Sequence, residues 1–150
     1  MMKTSVAIIV TVILSSCQYS PKCWGDDKNK GEIIREYDIM HCSGVTHYEN
    51  STEIIIKTKE EYENWFSSDC LTEMPVNFET ESLIGYPTGA GGSETKFVRK
   101  LEIDQPNKTY NYDIIMKECG SQKKIRIDMN MVVVPKIPDD YTLNFNEVYK

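Results

Sequence analysis

The chain has 150 residues, of which 17 are basic and 23 acidic, a net charge of −6. So acidic a surface discourages nucleic acid and anionic lipid headgroups as partners, because both repel it. The length suits one domain with one sizeable core.

Lys3 is followed by Val6–Leu14, nine uncharged and mostly apolar residues. As a helix they would cover roughly 14 Å, about half of a bilayer core, which is short for a spanning segment and right for the apolar region of a signal peptide. The run ends in Leu14-Ser15-Ser16-Cys17, which resembles the lipobox of bacterial lipoproteins. That resemblance implies diacylation of the Cys17 thiol with palmitate-type chains, cleavage before Cys17, and acylation of the new amino terminus. Each buried methylene contributes ~0.8 kcal/mol, so two or three chains give stable anchoring. Gln18 stands where an Asp would mark inner-membrane retention, which implies the outer membrane, facing periplasm or surface. The expected organisation is a signal peptide over 1–16, a lipidated tether over 17–30, rich in Lys, Asp, Asn, Ser, Pro and Gly, and a single domain over 31–150. Cleavage leaves 134 residues with 16 basic and 23 acidic side chains, a net of −7.

Assigning Cys17 to lipid leaves Cys23, Cys42, Cys70 and Cys119, an even set in an exported chain. Two disulfides are expected, with three connectivities open. The preferred pairing is Cys23 with Cys42 and Cys70 with Cys119. The absence of a CxxC spacing argues against a zinc ribbon or a thioredoxin-like site.

The domain opens with a strand from Glu32, where Ile34, Tyr37 and Ile39 sit among charged neighbours, and a second at Thr52–Thr58. Thr58-Lys59-Glu60-Glu61 fits a capping box, and Tyr62, Trp65 and Phe66 form one apolar face of the helix that follows. Trp65 on that face reads as core rather than as a sugar platform. Strands follow at Ser82–Tyr86, at Thr95–Ile103 with Phe97, Leu101 and Ile103 in phase, and at Thr109–Met116 with Tyr110, Tyr112, Ile114 and Met116 in phase. In the next strand Ile125, Ile127, Met129, Met131 and Val133 alternate with Lys124, Arg126, Asp128 and Asn130, which predicts one dry and one wet face. Pro135 and Pro138 end it, and Tyr141–Phe145 is the last strand. The expected fold is α+β, an antiparallel sheet of about six to seven strands under one covering helix.

The segments TEIIIKTKEEYENWF, VNFETESLIGYPTGAGG and VVVPKIPDDYTLNF, all between Glu53 and Val148 apart from Thr52, resemble in their order the small envelope lipoproteins of Bacteroidetes. They are similar, more loosely, to the PrcB-type C-terminal domain. The resemblance implies a noncatalytic binding or accessory role. Ser93 and Glu94 replace the aromatic that often follows the paired glycines of that pattern.

The glycine-rich GYPTGAGGSE, Gly85–Glu94, lacks both a Gly-Lys-Ser/Thr sequence and a following helix, so it reads as a hairpin loop rather than a phosphate cradle. Tyr86, Gly89, Gly91 and Gly92 are its candidate partner-binding rim. His41, Cys42 and His47 lie close together, but no metal is expected there, and no cofactor anywhere. No G-x-S-x-G elbow or other catalytic constellation appears, so no catalytic residue is named. The expected function is a lipid-anchored binding or accessory module, its partners the membrane and another envelope protein. An envelope hydrolase with an unrecognised site and a purely structural envelope protein are the alternatives.

Overall fold

A computed structural model describes residues 25, 28–39, 53–120 and 123–150. The signal segment, most of the tether and the turn carrying Cys42 and both histidines lie outside the described residues.

Alternation builds the first layer. β6 (Lys96–Asp104) and β7 (Thr109–Lys117) form an antiparallel hairpin, and every second residue of β7 from Tyr110 to Met116 is buried. β10 (Thr142–Tyr149) lies parallel to β7, and the two-residue β1 (Lys30–Gly31) lies parallel to β6, so this sheet is mixed, in the order β1-β6-β7-β10. The second sheet is antiparallel: β2 (Arg35–Glu36), β9 (Val132–Pro135), β4 (Glu81–Gly85) and β3 (Ile54–Ile56), side by side in that order.

The second sheet is the middle layer. Ile84, Val132 and Val134 pack against Leu101, Tyr112, Ile114 and Met116 of the first sheet. Their neighbours Leu83 and Val133 face the other way, with Ile54 and Ile56, onto Tyr62 of α1 (Lys59–Trp65), its C-cap Phe66, and Cys70 of α2 (Ser68–Glu73). Strands buried on both faces lose alternation, which is why β4 and β9 read as short apolar runs.

β5 (Thr88–Gly91) pairs with β8 (Ile125–Asp128) in a third, two-stranded sheet. Its register continues that of β4 with β9, so the two sheets are one long ribbon interrupted at Tyr86-Pro87 and at Met129–Met131. Tyr86 N still donates to Met129 O across the gap at 2.9 Å.

The fold is thus mostly β, with ten strands and two helices among the described residues. The expected single antiparallel sheet of six to seven strands under one helix becomes several sheets among the described residues, one mixed and two antiparallel. Two expectations differ in detail. The strand expected from Glu32 is a strap that changes sheets, from β1 beside β6 to β2 beside β9. Gly31 allows this at φ 75°, where a Cβ would stand 1.9 Å from Leu101 O. The strand expected to run through Val133 breaks at Asn130, which adopts φ 49°.

The capping box forms as read: Glu61 N donates to Thr58 Oγ1 and Thr58 N to Glu61 Oε2, both at 3.1 Å. Trp65 packs partly buried against the helix-side core. Among the described residues no helix is long and apolar enough to cross a membrane.

Candidate functional site: a charged cleft at the end of the strap

Arg99 stands on β6 in phase with Phe97, Leu101 and Ile103, so alternation aims it at the core, where it is 8% exposed. A buried guanidinium needs charged partners, since its desolvation costs several kcal/mol. The strap and the ribbon supply them. Nη1 lies 3.1 Å from Glu36 Oε1 on β2, and Nη2 lies 2.8 Å from Asp128 Oδ1 on β8. Both carboxylates are held in turn. Asn29 Nδ2 donates to Glu36 Oε1 at 2.8 Å, and Asn130 N donates to Asp128 Oδ1 at 2.7 Å. Arg99 Nε is buried without a hydrogen-bond partner.

Asn130 locks the ribbon's interruption above this network. Its Nδ2 donates to Tyr86 O, Thr88 Oγ1 and Asp128 O at 3.1, 2.8 and 3.0 Å. Tyr112 OH donates to Asn130 O at 2.6 Å. Burial holds that phenol well above the usual tyrosine range, with the Arg99 charge opposing, so it stays a protonated donor.

A cleft of about 560 Å³ opens beside the guanidinium. Its polar part comprises Arg99, Glu36, Asp128, Asp38 and Arg126, the last donating through Nη1 to Thr95 O at 3.1 Å. Its apolar part comprises Ile39, Ile127, Met129 and Met131. A charged floor beside flexible, polarisable methionine walls fits a group with an apolar body and a polar tip. No serine, cysteine or histidine lines the cleft among the described residues. Among the described residues no three His, Cys, Asp or Glu side chains are grouped to hold a metal ion.

The expected rim is differently placed. Thr88–Gly91 is strand, not hairpin loop, so Gly89 and Gly91 lie in a ladder with Ile127 and Ile125. Only Gly92 has a positive φ, 123°, and a Cβ there would stand 2.2 Å from Cys119 O. Tyr86 is partly buried and stacks on Phe145 at 5.2 Å. None of the four lines the cleft among its described residues.

The preferred Cys70–Cys119 bridge is not formed. Cys70 is a free thiol, fully buried beside the helix-side core, with Ser67 Oγ 3.6 Å from its sulfur. Cys119 is disulfide-bonded, and its partner therefore lies outside the described residues. Cys17, Cys23, Cys42, His41 and His47 lie there too, so whether a histidine stands beside a nucleophile, as an envelope hydrolase would require, falls outside the described residues. The cleft residues were legible in one respect: Arg99 is a charge standing in an apolar phase.

No family model, curated protein or solved structure matches the chain.

Proposed function

We propose that this is a lipid-anchored envelope protein, held through Cys17, whose mostly β domain acts by noncatalytic binding. The cleft beside Arg99 carries the reading: a cavity of about 560 Å³ that sets two arginines and three carboxylates beside methionine and isoleucine walls. Such a site selects by shape and charge and needs no reacting group. The disulfide at Cys119 supports export, because such bonds persist in oxidising compartments. The lipobox supports the anchor, and anchoring raises the effective concentration of the domain near envelope partners. The resemblance to small Bacteroidetes envelope lipoproteins supports the same binding or accessory role, with another envelope protein as partner, and Gln18 after the lipobox cysteine supports the outer membrane.

Two measurements test the reading. Intact mass of the membrane-extracted protein is expected to show acyl chains on a chain beginning at Cys17; recovery with Met1 and a bare thiol overturns the anchor. A photo-crosslinking residue at position 39, in the cleft's apolar wall, is expected to capture one reproducible envelope component, with the same probe at Tyr149 capturing none. Equal labelling from both positions, or none from 39, overturns the cleft as the binding site.

A further inference from the structure

Net charge describes a whole surface, and here it conceals a local reversal at one end of the ribbon. Lys123, Lys124, Ile125, Arg126 and Ile127 are all exposed, the two isoleucines at 76% and 71%. Ile125 and Ile127 stand on the face that buries Met131 and Val133 further along, but the helical layer ends before it reaches them. Opposite them on β5 is Gly89, whose missing side chain leaves the face flat: a Cβ there would only touch Ile127 and Ile125, at 3.6 and 3.7 Å. Lys123 and Lys124 form no ion pair among the described residues. Of the acids at this end, Glu118 Oε1 accepts from Gly91 N, and Asp128 and Glu36 are paired with Arg99; Asp38 shares the cleft with Ile127, and Glu94 is exposed at the neighbouring turn.

Gly25, eight positions after Cys17, lies at the same end. Gly25 sits beside Lys117 Nζ at the end of β7, Cys119 O accepts from Glu94 N at 3.1 Å, and Gly92 N donates to Lys124 O at 2.7 Å. From Cys17 to Gly25 an extended chain reaches at most ~28 Å. An acylated Cys17 would therefore keep this end close to the bilayer.

We propose that the β5–β8 end of the ribbon is a docking surface for an anionic phospholipid bilayer. Ile125 and Ile127 enter the headgroup layer, and the exposed Lys123 and Lys124 that precede them face lipid phosphates. The orientation rests on the Cys17 anchor, whereas the docking chemistry belongs to the ribbon and is tested without it. Full-length protein carrying Cys17→Ser, sedimented with vesicles, is expected to bind phosphatidylglycerol-containing membranes at least about tenfold more tightly than pure phosphatidylcholine. Residues 1–16, whose charges are the amino terminus and Lys3, contribute the same background to every variant because they are unchanged in all of them. The double change Lys123→Glu/Lys124→Glu is expected to remove about tenfold or more of the anionic preference. The Ile127→Trp variant, with the signal of Trp24 and Trp65 subtracted by means of the parent protein, is expected to emit further to the blue on anionic vesicles. Equal binding to both membranes, indifference to the charge reversal, or no blue shift in the Ile127→Trp variant overturns the docking surface. Intact mass decides the anchor separately: a bare Cys17 removes only the orientation, and an acylated Cys17 without anionic preference removes only the docking.

Discussion

Arg99 is the residue whose environment most constrains this molecule. Its side chain is 10% exposed, whereas its partners Asp128 and Glu36 are 29% and 59% exposed. The two sides of the pair are therefore unequal. Asp128→Ala leaves a buried cation with only the more exposed Glu36 as partner, removes the acceptor of Asn130 N, and is expected to cost about 3 kcal/mol in denaturant unfolding. Arg99→Met removes the buried charge and leaves carboxylates that water can reach, so it is expected to cost clearly less. If Arg99→Met proves the more damaging of the two, the guanidinium is stabilised by contacts other than these carboxylates. Asn130 shows a related economy. One residue tolerates the left-handed backbone and turns three amide hydrogen bonds onto the ribbon's interruption, at the cost of one buried oxygen, Oδ1, without a partner.

Among the elements, the glycine-rich stretch separates into two physical situations. Gly89 lies in a strand with ordinary van der Waals space above it, and Gly92 lies at φ 123° against the Cys119 carbonyl. Gly89→Ala is expected to change stability by less than about 0.5 kcal/mol, while Gly92→Ala is expected to cost about 3 kcal/mol or more. Thermal unfolding of the pair checks this, and equal effects would mean that the Cys119 turn yields easily. β10 is an edge strand, and its exposed face carries polar pairs to β7: Asn144 Nδ2 donates to Asn111 Oδ1 at 2.9 Å and Asn146 Nδ2 to Asp113 Oδ1 at 3.0 Å. Polar ladders of this kind make an edge less attractive to stray strands.

At the scale of the whole molecule, the strap joins the layers. Arg35 on β2 makes a two-pronged bond to Glu81 of β4, at 2.9 and 3.0 Å, and also donates to Pro75 O beyond α2 at 2.5 Å. The Arg35 hydrogen bonds, aided by Asn77 N and opposed by burial, hold the Glu81 carboxyl below its usual 4.5. A depressed carboxylate contributes stability that is fully present above its unfolded value and is lost as pH falls through the lower folded value. Arg35 is 35% exposed, so solvent screening keeps the contribution near about 1 kcal/mol. Glu81→Gln is expected to lower stability by that amount at neutral pH and to make the decline below about pH 4.5 shallower. An acid limb unchanged by the substitution would assign that decline to other carboxylates.

The sequence by itself determined the local structure: the capping box of α1, the alternating face of β7, the proline that closes β9, and the single phase along Ile125–Val133. Each of these follows from chemistry between near neighbours, or from a period that one strand carries alone. Tertiary structure decided the rest. A strand cannot know that it will be the middle of three layers, so β4 and β9 concealed the second sheet. The short strap could not announce that it changes sheets. Arg99 in an apolar phase signalled a buried charge, but Glu36 and Asp128, which neutralise it, lie 63 and 29 positions away in the chain and meet it only through sheet register. The phase that buries Val133 exposes Ile125, because the covering layer ends between them, and where a layer ends is settled by packing.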